Sequence, residues 1–155
     1  MSLFKFMDIL GKKGCYRAAL EYNKFLLKIN SNDPTACLLC MDFNSISAKS
    51  YDYLLKFIQN YSRYLGDEKS SLYLLPNFTL SAALAKYYLD SSTKSEELIV
   101  EEKNNQNLLK FDNEDWKQAL LLPTNNSFVN EPARVLILRA ILTYPKLIME
   151  IANKN

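Results

Sequence analysis

Apolar residues recur along most of this chain at helical spacing. From Cys15 to Ile29, Tyr16, Ala19, Leu20, Asn23 and Leu27 share one face, while Arg17, Glu21, Lys24 and Lys28 share another. The second set predicts a solvated face joined by weak helical charge pairs. Before it, the apolar-rich run Leu3 to Leu10 predicts a short helix ending near Gly11, with Gly11-Lys12-Lys13-Gly14 as the turn to the next. After it, Asp33 is placed to cap and Pro34 to open a helix running to about Ala48. Tyr51 to Leu65 predicts another, ended by Gly66. Further on, Pro76 starts a helix over Thr79 to Leu89, and Trp116 to Leu122 forms a short one. Glu131-Pro132 opens Ala133 to Leu142, and Tyr144-Pro145 breaks to a last helix over Lys146 to Ala152.

The stretch Gly14 to Tyr61 contains two similar phrases. Tyr16-Arg17-Ala18-Ala19-Leu20 and Tyr51-Asp52-Tyr53-Leu54-Leu55 stand 35 residues apart, each opening an amphipathic helix, with a third helix between them. That period is close to the roughly 34 residues of a tetratricopeptide helix pair, a unit that buries its apolar face only against stacked neighbours. The expected fold is therefore all-α: tetratricopeptide-like stacked helical hairpins, an α-solenoid, in a single domain over residues 1–155. One composition shift interrupts the pattern. From Asp90 to Asp115, eight acids and several asparagines predict a polar, partly disordered insertion, extended here to residues 90–130. Its acids resemble paired carboxylates, but runs of this kind are usually solvent-facing.

Charge and composition narrow the chemistry. Lys and Arg total 19 against 17 Asp and Glu, a net +2 that makes no case for a nucleic-acid footprint. There is no histidine, which removes histidine triads, bases and metal ligands together. No apolar run reaches the roughly 20 residues of a membrane span, and no signal peptide is visible. Cys15, Cys37 and Cys40 read as reduced thiols of the cytosol or nucleus. Cys37 and Cys40 form a C-x-x-C on a predicted helix; buried structural thiols are favoured there over a metal or redox role. Sequons at Asn60, Asn77 and Asn125 read as chance without a secretory route.

Two polar positions stand out. Asp42 falls within the stripe Thr35, Leu38, Leu39, Asp42 and Ile46, so it is expected as a structural buried charge, paired or capping, with Arg17 as the candidate partner. The alternative, a functional acid, lacks a second catalytic group nearby in sequence. The aromatics Tyr51, Tyr53, Phe57, Tyr61 and Tyr64 are expected to pack. Lys56 and Arg63 are too few basic neighbours for a base-stacking platform.

Several motifs, taken in order, resemble one family. Leu10-Gly-Lys-Lys-Gly-Cys-Tyr-Arg-Ala-Ala-Leu-Glu-Tyr22, Asp33-Pro34, Met41-Asp-Phe43 and Tyr51-Asp-Tyr-Leu-Leu-Lys-Phe57 lead the set. Leu75-Pro-Asn-Phe78, Ser81-Ala-Ala-Leu-Ala85 and Ala140-Ile-Leu-Thr-Tyr-Pro145 complete it. Together they resemble the transcription factor 25 family, also called nuclear localised protein 1, whose fungal members are subunit 1 of the ribosome quality control complex. Residues 90–130 are longer and richer in Asn and Glu than that family's pattern. The family's basic N-terminal region and its C-terminal part have no counterpart here, so the chain looks like an excised central helical domain.

The resemblance implies a non-enzymatic protein-interaction scaffold, cytoplasmic or nuclear, without cofactor or metal. The partners it implies are the 60S ribosomal subunit bearing a stalled nascent chain, a Listerin-type ubiquitin ligase, and ubiquitin or an AAA ATPase. Direct nucleic-acid reading and membrane binding are not expected. The runner-up is a nuclear adaptor of a transcriptional repressor. An enzymatic reading through Cys37, Cys40 or Asp42 lacks an assembled base, nucleophile and orienting group. The candidate partner contacts are the motif residues Arg17, Asn77 and Phe78, expected to be partly exposed; the competing expectation is that Arg17 pairs with Asp42 and that Phe78 packs.

Overall fold

A computed structural model describes residues 2–65, 72, 75–97, 112–120 and 131–153. Among them every regular element is helical, as the spacing predicts. The chain divides into two compact units, Met1–Leu72 and Tyr73–Asn155.

The first unit holds α1 (Leu3–Lys12), α2 (Tyr16–Ile29), a short 3-10 helix (Cys37–Cys40), α3 (Met41–Ser47) and α4 (Tyr51–Leu65). Ser2 caps α1, its hydroxyl accepting from the Lys5 N–H at 3.3 Å. The helix passes Gly11 and ends one residue beyond it, because Gly14 and not Gly11 supplies the left-handed residue, with φ of 78°. The Gly14 N–H bonds the Gly11 carbonyl and the Cys15 N–H reaches back to Leu10, which satisfies the last carbonyls of α1. The end of α3 repeats this arrangement with a lysine. Lys49 adopts φ of 57°, and the N–H groups of Lys49 and Ser50 bond the carbonyls of Ile46 and Ser45.

Helix initiation at Pro34 is corrected. Asp33 does cap, but a turn further along: its carboxylate accepts from the Cys37 and Leu38 N–H groups, both at 2.8 Å. Pro34 lies in a turn, and Asp33 and Ala36 take left-handed backbone (φ 45° and 54°) to bring the chain round. The 3-10 helix then starts at Cys37, so the two cysteines sit in a tight turn rather than mid-helix.

Around this frame α2 packs on α1 and α3, and α3 packs on α4. Ala19, Leu20, Met41, Leu54 and Leu55 form the buried apolar interior, each at most 1% exposed. Asn23, Asp42, Asn44 and Ser45 are buried among the same elements. Ser45 bonds the Met41 carbonyl at 2.6 Å. Asn23 is 0% exposed, and both its amide atoms lack a hydrogen-bond partner.

The second unit holds α5 (Pro76–Glu97), α6 (Asn113–Leu120), α7 (Ala133–Thr143) and α8 (Pro145–Ala152). The helix expected to stop at Leu89 continues to Glu97. The polar residues that suggested a break are absorbed by the helix: Ser91 and Ser92 bond the Tyr87 and Leu89 carbonyls, each at 2.8 Å. Residues 98–111 and 121–130 of the expected insertion lie outside the described residues, as does Asn125.

The solvent-facing reading of the acidic run is corrected at Asp115. Asp112 and Asp115 cap the start of α6 reciprocally, each side chain accepting from the other's N–H at 2.9 and 3.1 Å. Asp115 is only 3% exposed and meets the Arg134 Nε at 2.8 Å. On α7, Arg139 is buried and forks onto Glu131 and the Gln118 carbonyl. Helix α7 thus packs α5 on one side and α6 on the other, with Ala119, Val135 and Leu138 forming an apolar cluster.

Candidate functional site

The residues singled out from the sequence do not assemble into one site. Arg17 is exposed on the first turn of α2, on the face shared with Glu21 and Lys28. Asp42 is 6% exposed, in the first turn of α3, where helix N–H dipoles favour a negative charge. No ion pair joins Arg17 to Asp42 among the described residues. Asn77 is half-buried at the start of α5. Phe78, offered as partly exposed, is corrected: it is 0% exposed, because the α5 face carrying Phe78, Ala82 and Ala85 turns inward. It is a packing residue here.

The cysteines differ in environment. Cys15 is exposed, whereas Cys37 is 1% exposed beside the Asp33 carboxylate. Burial, reinforced by the hydrogen bond and charge of Asp33, pushes the Cys37 thiol up to about 12. Burial and then the charge of Asp42 push Cys40 up as well. Burial alone would raise Asp33, but bonds from Leu38 and Cys37 win and hold it below its ordinary value. A thiol kept protonated is a poor nucleophile and a poor metal ligand. No group of three Cys, Asp or Glu placed to hold a metal occurs among the described residues.

What the structure does assemble is a groove that single-helix periodicity does not show. Because α3 packs on both α2 and α4, it spaces them and leaves an open cleft of about 580 Å³ floored by Met41. Tyr53, Phe57 and Tyr61 stand one turn apart along the α4 wall, with Tyr53 and Phe57 stacked at 5.9 Å and Phe57 and Tyr61 tilted at 5.3 Å. The Tyr53 hydroxyl reaches the Met41 Sδ at 3.9 Å. Lys24 and Lys28, one turn apart on α2, and Lys56 on α4 also line the cleft; among the described residues no carboxylate does. The Lys24 ammonium lies 4.0 Å from the centre of the Tyr53 ring. Counting basic residues on α4 alone undercounts this site, because two of its three lysines come from α2.

Within the second unit, a smaller cleft of about 320 Å³ lies between α5 and α7, lined by Leu80, Leu84, Tyr87 and Ile137 among other apolar residues. Among the described residues no charged group lines it.

Fold and clefts together define an all-α protein whose described clefts are grooves between helices. The whole chain, residues 1–155, matches the family described as transcriptional repressor TCF25, and it belongs to that family. Its relatives include the ribosome quality control complex subunit TCF25 of Dictyostelium discoideum, 38% identical over 90 residues. The Homo sapiens protein of the same name is 36% identical over 94 residues, and ribosome quality control complex subunit 1 of Schizosaccharomyces pombe is 26% identical over 93. These matches cover 58–60% of this chain but span only 12–13% of the length of those relatives. No solved structure matches. Among the described residues no helix is long and apolar enough to cross a membrane.

Proposed function

We propose that this chain is a non-enzymatic scaffold element of ribosome quality control, holding protein partners on helical grooves. Membership of the TCF25 family along the full chain carries the reading, since relatives in three organisms bear ribosome quality control names. The open groove between α2 and α4 supports it physically: it is a cleft between rigid helices, a common mode of peptide capture. The helices of each unit are read as tetratricopeptide-like hairpins belonging to a single helical-repeat domain, with Tyr16 and Tyr51 marking corresponding positions of two repeats. The partners in this reading are the 60S subunit with a stalled nascent chain, a Listerin-type ubiquitin ligase, and ubiquitin or an AAA ATPase. Arg17 and Asn77 remain candidate contacts, and the site of action is cytoplasmic or nuclear.

A second reading rests on the family's description as a transcriptional repressor: a nuclear adaptor. Co-sedimentation with 60S–nascent-chain particles, with and without the ligase and at two salt concentrations, separates the two. Ligase-dependent association supports the quality-control scaffold. Association with chromatin proteins and none with 60S particles overturns it in favour of the nuclear adaptor.

A further inference from the structure

We propose that the groove between α2 and α4 docks an acidic amphipathic segment of a protein partner, with apolar side chains on the aromatic floor and carboxylates against Lys24, Lys28 and Lys56. This deepens the scaffold reading and rests on it. The charge pattern carries the assignment. Among the described residues three lysines line the cleft and no carboxylate does, so that lining is cationic even though the whole chain is almost neutral. Lys24 and Lys56 form exposed ion pairs one helical turn away, with Glu21 and Asp52, both at 2.7 Å, and Lys24 also lies over the Tyr53 ring. Pairs of this kind contribute little, so both ammonium groups are free to turn to a better anion. Lys28 is exposed and forms no ion pair among the described residues.

The floor sets the apolar half of the partner. Leu27 and Phe57 offer carbon surface in an open cleft of about 580 Å³ above the buried Met41, within the range that accommodates several inserted side chains. Lysines occur on both walls, at Lys24 and Lys28 on α2 and at Lys56 on α4. Acids flanking an apolar stripe on both sides match that layout.

Single-stranded nucleic acid would use the same lysines but needs open aromatic faces. Here Tyr53 is covered on one side by the Lys24 ammonium and stacks on Phe57, while Tyr61 is 9% exposed. The aromatic stripe is therefore a floor to pack against and not a set of platforms.

The test uses the full chain and three labelled probes. One is an amphipathic helical peptide with a leucine stripe flanked by glutamates; the second replaces every glutamate by glutamine; the third is oligouridine. Fluorescence anisotropy should show saturable binding of the glutamate peptide, at least about tenfold tighter than its glutamine counterpart and weakened by salt. Amide shift changes should concentrate on α2, α3 and α4. The double variant Lys28→Gln/Lys56→Gln should lose at least about tenfold in affinity while keeping its helical circular dichroism, since both side chains are exposed. Lys28→Glu, tested alone, should weaken binding in the same direction. Equal binding of the two peptides, an unaffected double variant, tighter oligouridine binding, or no peptide binding each overturns the proposal. Co-sedimentation of the chain with 60S–nascent-chain particles is read separately. Retained association with no peptide binding removes the groove assignment and leaves the scaffold reading standing.

Discussion

The two units solve the same problem, burying polar groups in a helical interior, in different ways. In the first unit most of the buried polar groups are uncharged. Asn23, Asn44 and Ser45 lie inside, Asp42 is placed in the first turn of its helix, and the ion pairs among its described residues are exposed links within one helix. In the second unit Thr79 is buried beside two full charges, Asp115 and Arg139, and both charges are joined to other segments. Arg139 holds Glu131 and α6, Arg134 meets Asp115, and Asp90 of α5 accepts from the Ala133 N–H at 3.4 Å. The first unit therefore depends on shape and caps, and the second on charges whose partners come from other segments. Breaking one partner of a buried pair leaves a charge without compensation, whereas trimming a surface pair costs little.

The sharpest break of this contrast is at Arg139. Its side chain and that of Glu131 are 8% and 16% exposed, so Arg139→Ala should destabilise the second unit by about 3–5 kcal/mol. Trp116, the single tryptophan, lies on α6 and reports this loss by its emission during urea unfolding. Replacing both partners, Arg139→Met with Glu131→Leu, should recover most of it. A double variant no better than the single one would show that packing, not charge, holds α7.

In the first unit, Asn23→Leu should act in the opposite direction. It removes an amide with no partner from a fully buried position, and about 1 kcal/mol of stabilisation is expected from thermal unfolding. Destabilisation would mean that the site cannot take the leucine shape or that the amide is bridged by water.

The pH dependence of the first unit follows from two groups with opposite signs. The Asp33 carboxyl is held below its ordinary 3.8, so its contribution is present above that value and is lost as pH falls through the folded value. Cys37 keeps its proton to about 12 against an ordinary 9.0, so stability falls as pH rises between those values. Hydrogen exchange resolved by peptide should show Asp33→Asn flattening the acid side and Cys37→Ala the alkaline side, both within residues 2–65.

The smallest effect is expected at Arg17. Exposed and joined to Asp42 by no ion pair, Arg17→Ala should change stability by no more than about 0.5 kcal/mol. A clear fall in melting temperature would restore the Arg17–Asp42 pairing expected from the sequence.

Much of the helical layout was legible because it is local. Tyr51–Leu65 appears as read, and the breaks at Gly14 and Pro145 fall where left-handed backbone or a missing N–H requires them. Errors came where a side chain several residues away intervened. Asp33 moved one helix start from Pro34 to Cys37, and α5 runs through its polar residues with Ser91 and Ser92 bonded back onto its own carbonyls. Asp115 looked like part of a solvated acidic run until Arg134, far along the chain, came to meet it.

The sequence by itself therefore determined the all-α class, most helix boundaries and the family, since spacing, caps and ordered motifs act within a turn or two of the chain. Only the tertiary structure decided which polar groups would be buried, that Phe78 would turn inward, and that lysines of α2 would face the aromatic row of α4. The reason is geometric. A helix fixes which of its own residues share a face, but the partner of that face is chosen by packing between elements, which no local period records.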